Sequence, residues 1–169
     1  MYANSAMDGD MSNKAKLKIG VAVVVLFWGM LASVNLIADA PKPAVRWQQK
    51  LMQAHKVSVA TNKPLMLVFT AEWCTHCRQL ENETLSDAKM VKYVNDTFVP
   101  IHVDLDKNRR IAKILEVKSV PCTVVLSPEA DLLGKLTGNV DSKTYFSTLS
   151  KAREIQDKIQ LARAETSKQ

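Results

Sequence analysis

Trp73-Cys74-Thr75-His76-Cys77 stands where a short apolar run ends and a helix-forming run begins, and its reading decides the fold. Two cysteines separated by two residues suit a redox pair, half of a zinc site, or chance, so the flanks must decide. Upstream, Pro64 to Thr70 reads Pro-Leu-Met-Leu-Val-Phe-Thr, the length of a strand buried on both faces. Downstream, Arg78-Gln79-Leu80-Glu81-Asn82-Glu83 contains strong helix formers and no breaker. Cys74 is then expected just before, and Cys77 within, the first turn of a helix whose N–H groups are unpaired and carry about half a positive charge. Such a helix end stabilises a thiolate, lowering a cysteine pKa from about 8.5 to as little as about 3.5–7.5. His76, between the two cysteines, adds a second influence of the same sign.

These 169 residues are long enough for one domain with a full core plus an appendage, and a second full domain is not expected to fit within them. Its three cysteines, Cys74, Cys77 and Cys122, are too few for a small scaffold stapled by bridges. Lys and Arg number 23 against 17 Asp and Glu, a net charge of +6. Apart from Arg109-Arg110 this charge is scattered and lacks interleaved aromatics, so no nucleic-acid partner is expected.

Residues 1–13 are polar and without periodicity. Lys14, Lys16 and Lys18 then precede an uncharged run, Ile19 to Ile37, which as a helix would span about 28 Å, close to the roughly 30 Å of a bilayer core. The lysines before it place the N-terminus in the cytoplasm and the remainder outside. Residues 1–18 are therefore expected to be a cytoplasmic tail, 19–37 a transmembrane anchor or uncleaved signal, and 38–43 a linker. Residues 44–160 would form the domain and 161–169 a polar tail. The alternative is secretion after cleavage at Ala38-Asp39-Ala40, but the run is long for a signal peptide and Pro41 would follow the cut.

Within the domain, Ala44 to Ala60 is helix-like, with Trp47, Leu51 and Ala54 on one face and His55 at or near the surface. Ser86-Asp87 offers a cap to a helix over 88–95 that would bury Met90, Val91 and Val94. Residues 98–104 read as a strand in which His102 alternates with apolar neighbours, as a structural histidine would. A helix over 106–116 follows, with Ile111, Ile114 and Leu115 inward. Two strands, 123–126 and 132–137, come next, and Asp141 caps a last helix with Tyr145, Leu149, Ala152, Ile155 and Ile159 in its seam. Strands alternating with helices before a closing hairpin imply an α/β domain, a central mixed sheet with helices on both faces.

The run Leu67 to Cys77, followed some 45 residues later by Val120-Pro121, resembles the thioredoxin fold. Lys63-Pro64 before the strand and Leu80-Glu81-Asn82-Glu83-Thr84-Leu85-Ser86-Asp87 after the cysteines resemble, more narrowly, the C-terminal thioredoxin-like domain of the disulfide reductase DsbD and its single-domain relatives. The resemblance implies a cis bond before Pro121, a substrate chain pairing with the backbone at Val120, an attacking thiol at Cys74 and a resolving thiol at Cys77. Cys74, at the helix mouth, is expected to be the more exposed.

Three departures bear on chemistry. Val68 occupies the position at which that family carries a buried aspartate, so proton transfer at Cys77 needs another group, for which Glu81 is the first choice. Thr75-His76 replaces Gly-Pro, and a histidine before the second cysteine favours the reduced form and so pulls towards oxidant work. Cys122 follows the expected cis proline and is either an inert core thiol or a third ligand to a soft metal such as copper. The expected function is a membrane-anchored thiol–disulfide oxidoreductase exchanging disulfides with protein substrates, using no cofactor and recycled by a redox partner. Cys74 and Cys77 would carry the exchange, supported by Trp73, Thr75, His76, Glu81, Val120 and Pro121. A copper-binding or delivery module is the alternative.

Overall fold

The apolar run before the cysteines forms β1, Leu65–Thr70, whose first five residues are buried. The structure, a computed structural model, describes residues 43–166. The expected tail over 1–18, the anchor over 19–37 and the linker up to residue 42 lie outside the described residues, as do 167–169. Among the described residues no helix is long and apolar enough to cross a membrane.

Helix α1, Leu51–Thr61, precedes β1, and α2, Thr75–Gln79, follows it and runs directly into a π-helical turn, Leu80–Thr84. After α3, Ala88–Thr97, come β2, Val99–Asp104, and α4, Arg109–Ile114. The hairpin of β3, Cys122–Leu126, and β4, Leu132–Thr137, leads to α5, Ser142–Thr166. The strands lie in the order β2-β1-β3-β4, with β1 parallel to β2 and antiparallel to β3, and β4 antiparallel to β3. This is the expected mixed sheet. Gly134 in β4 lets α5 approach closely, since a Cβ there would lie 3.3 Å from that of Ala152.

Alternation along β1 divides the core. Met66 and Val68 join Leu80, Leu85, Met90, Val91, Val94, Tyr145 and Leu149 on one face. Leu65, Leu67 and Phe69 join Val99, Ile101, Val103, Ala112, Cys122 and Val124 on the other, beneath α1 and α4. Each such side chain contributes about 1.5–3 kcal/mol through its burial, so a strand buried on both sides fixes its own register.

Four sequence expectations are corrected. The helix expected from Ala44 begins only at Leu51, because residues before it run extended along β2, with the Gln48 N–H donating to Pro100 O at 2.9 Å. Trp47 therefore packs with the first cluster and Leu51 with the second, rather than sharing one helix face. In α4, Ala112 is buried and Ile114 is 69% exposed, the helix being only six residues long. In α5, steps of four and three residues from Tyr145 through Leu149 and Ala152 reach Gln156, which is buried, while Ile155 turns outward. The helix continues to Thr166, and its residues 161–166, within the stretch expected as a polar tail, are exposed.

Candidate active site: a disulfide at the end of the central strand

Asp104 and the loop after it hold the turn that follows β1. The Trp73 indole N–H donates to Asp106 Oδ2 at 2.9 Å, which fixes a ring that is 66% exposed. Lys107 Nζ lies 3.2 Å from Glu72 Oε1 and 3.1 Å from Asp104 Oδ2. The backbone N–H and ammonium of Lys107 hold the Asp104 carboxyl below its ordinary pKa. Arg78 reaches back from α2, donating to Glu72 O at 3.0 Å and to Thr75 Oγ1 at 3.2 Å. Sequence reading missed Asp106, Lys107 and Arg78; the first two stand more than thirty residues from the groups they hold, and no local pattern marks such pairs.

Cys74 and Cys77 form a disulfide, their Cα atoms 5.3 Å apart. Cys74 caps α2 with its own sulfur, Sγ accepting from the Cys77 N–H at 3.1 Å. That N–H is one of the unpaired donors of the helix start, and it would stabilise a thiolate at Cys74 once the bond opens. The expected contrast in exposure is absent, however. Cys74 is 4% and Cys77 3% exposed, because in the disulfide both sulfurs lie in one small cluster with Ala71, against Val120. Thr75 and His76, on the first turn, are exposed.

The Val120–Pro121 bond is cis, as the resemblance implied. Pro121 O accepts from the Gly138 N–H at 2.8 Å, and Val120 packs on the cysteine cluster, which places the proline loop beside the disulfide. Trp73, Cys74, Cys77 and Val120-Pro121 are thus brought together.

Cys122 is elsewhere. Its buried sulfur belongs to the α1/α4 face and shares a 3.6 Å hydrogen bond with Thr137 Oγ1. Burial pushes its thiol above the ordinary range, and it packs in a different cluster from Cys74 and Cys77. Copper delivery through all three cysteines accordingly loses its geometry. Among the described residues no three His, Cys, Asp or Glu side chains cluster as a metal site would require.

Glu81 is half-buried on the π-helical turn after α2. Its Oε1 lies 3.1 Å from His102 Nε2, and the imidazole stacks on Trp47 with ring centroids 3.6 Å apart. Burial holds His102 below its ordinary pKa, with Glu81 opposing. Glu81 is thus the polar partner of a ring nitrogen that is otherwise buried, which strand alternation alone did not indicate. His55 is as expected, half-buried with Nε2 3.0 Å from Pro128 O.

A profile of the thioredoxin-like domain matches residues 51–153, more than half of the chain. The chain belongs to the thioredoxin-like family. Plasmodium falciparum thioredoxin 2 is 31% identical over 90 residues, 53% of this chain and 55% of that one. The thiol:disulfide interchange protein DsbD of Salmonella typhi is 28% identical over 111 residues, 63% of this chain and 19% of DsbD. The chain thus spans about half of one relative and under a fifth of the other. A solved thioredoxin from Thermus thermophilus superposes with a TM-score of 0.58 at 25% identity, covering 66% of this chain and 87% of that one. Among thioredoxin-like domains this one is near DsbD, and its Cys74–Cys77 pair and cis Pro121 stand in the arrangement the resemblance implied.

Proposed function

We propose that the chain is a membrane-tethered thiol–disulfide oxidoreductase acting on protein substrates outside the cytoplasm. One observation carries the chemistry: the Cys74–Cys77 disulfide sits at a helix start with the Cys77 N–H on Cys74 Sγ, beside the Val120–Pro121 loop. In the reduced enzyme the Cys74 thiolate attacks one sulfur of a substrate disulfide, and the other substrate sulfur leaves as thiolate and takes a proton. Cys77 then loses its proton and displaces the substrate from Cys74, so the substrate is reduced by two electrons and the enzyme pair is oxidised. A second dithiol returns those electrons. The same steps run backwards for an oxidant, with the exposed His76 pulling in that direction.

Cys77→Ser removes the resolving sulfur and is expected to leave substrates covalently held at Cys74, visible as adducts that dithiothreitol releases. A chain that traps neither protein nor glutathione overturns the exchange reading. The couple's potential sets the direction, near about −120 mV for an oxidant and about −270 mV for a reductant. The uncharged run over 19–37 and the lysines before it support the tether and its orientation. On this reading the domain lies in the periplasm, or outside, beyond an inner-membrane anchor, so protease added to spheroplasts is expected to digest the domain and leave a short membrane-bound remnant; protection of the domain, or its recovery without the anchor, overturns this placement.

A further inference from the structure

Opening the disulfide leaves a proton problem at Cys77. Its sulfur departs as a thiolate and must be protonated, and in the return step it must be deprotonated before it can displace the substrate. At 3% exposure, Cys77 has little direct access to water for either event. The strand beneath gives no help, since Val68 is apolar and buried. Glu81, however, follows Cys77 by four residues, about one turn further on, in the π-helical turn that continues α2.

Behind Glu81 stands His102. It pairs with Val68 in the parallel register of β1 and β2, so its ring rises from the sheet beside Val68 on the same face. Trp47 covers the ring, and Nε2 lies 3.1 Å from Glu81 Oε1. A ring nitrogen beside a half-buried carboxylate can share a proton with it, which makes the pair a place where a proton can rest.

We propose that His102, acting through Glu81, is the proton station for the resolving thiol of Cys77. This rests on the exchange reading above. During resolution the Cys77 thiol passes its proton to the Glu81–His102 pair, and the resulting thiolate attacks Cys74 Sγ of the mixed disulfide. The Cys74–Cys77 bond forms, the substrate thiolate leaves, and the pair gives its proton to water on the half-exposed side of Glu81. Glu81 is a reacting partner in this scheme and His102 a positioning residue that holds and shares the proton. Other groups around the ring are occupied. Asp104, two residues along β2, is engaged by Lys107, and Arg46, next to Trp47, binds Asn95 of α3 through both its backbone N–H and its guanidinium. Val68 is the β1 residue paired with His102. Burial keeps the imidazole below its usual pKa and therefore neutral and able to accept a proton at pH 7.

Dithiobis(nitrobenzoic acid) separates the two steps, because reduced full-length chain releases one coloured thiolate when Cys74 attacks and a second when Cys77 resolves. His102→Asn and Glu81→Gln are each expected to keep the first phase and to slow the second at pH 7 by at least about tenfold. The pH midpoint of that second phase should also move upward, a change that loss of packing alone would not produce. Glu83→Gln, at an exposed carboxylate that binds Gln79, is the control and should match the parent chain. A second phase with unchanged rate and midpoint in Glu81→Gln or in folded His102→Asn overturns the proposal. Should His102→Asn fail to fold, Glu81→Gln decides alone. Absence of the first phase in the parent chain defeats the exchange reading instead.

Discussion

The two faces of the sheet hold buried polar groups in opposite ways. The face under α2, α3 and α5 carries His102 against Glu81, and the Tyr145 hydroxyl 2.8 Å from Thr123 Oγ1. The face under α1 and α4 is apolar from Leu65 to Leu126, and the sulfur in its cluster, that of Cys122, stays a thiol. Cys122 is two residues beyond Val120, which packs against the cysteine pair, yet one sulfur is placed to react and the other is not. What separates them is the helix N–H aimed at Cys74, an influence that Cys122, on a strand, lacks.

Swapping sulfurs tests this contrast most severely. Cys74→Ser is expected to bring disulfide exchange down to the uncatalysed rate, whereas Cys122→Ala should leave it unchanged and cost about 1 kcal/mol of stability. Equal losses of activity in the two variants would break the comparison. Next in size is the difference in stability. Leu67→Ala on the apolar face should cost about 2–5 kcal/mol in urea unfolding through the cavity it leaves. Tyr145→Phe, on the other face, strands the Thr123 hydroxyl and should cost about 1–3 kcal/mol. The buried tyrosine, its pKa pushed up to about 12 by burial, keeps its proton throughout the working range, so the second loss should not vary between pH 6 and pH 9.

The smallest effect concerns pH. Burial depresses the folded-state pKa of His102, so below the ordinary value of about 6.5 the unfolded chain binds the proton first. Stability is therefore expected to fall as pH drops from about 6.5 through the folded pKa, and His102→Asn should flatten that part of the urea midpoint curve. An unaltered slope would mean that the imidazole exchanges protons equally well in both states and that the polar face gains nothing from its burial.

Local chemistry carried most of the reading. The buried strand before the cysteines, the Asp87 cap on α3 with its bonds to the N–H groups of Lys89 and Met90, and the positions of both cysteines follow from neighbours in sequence. The cis Pro121 was implied by the resemblance alone. Misreadings arose where distant segments meet. Trp47 fits a helix by spacing, but the pairing of Gln48 with β2 draws it into an extended segment and onto His102. Gln156 displaces Ile155 from the core because the helical repeat, not hydrophobicity, selects the inward position. His102 was recognised as a strand residue, while its meaning depends on register with Val68 and on Glu81, neither of which is a sequence neighbour.

The extended segment before α1 has a further consequence. By bonding to Pro100 and bridging Ile101, it occupies the outer rim of β2, which would otherwise present free amides and carbonyls to any passing strand. A shortened chain beginning at the helix start, Leu51, would unmask that rim and remove the indole covering His102 together. Self-association and a changed proton affinity should then appear as one defect, which restoring residues 43–50 would cure.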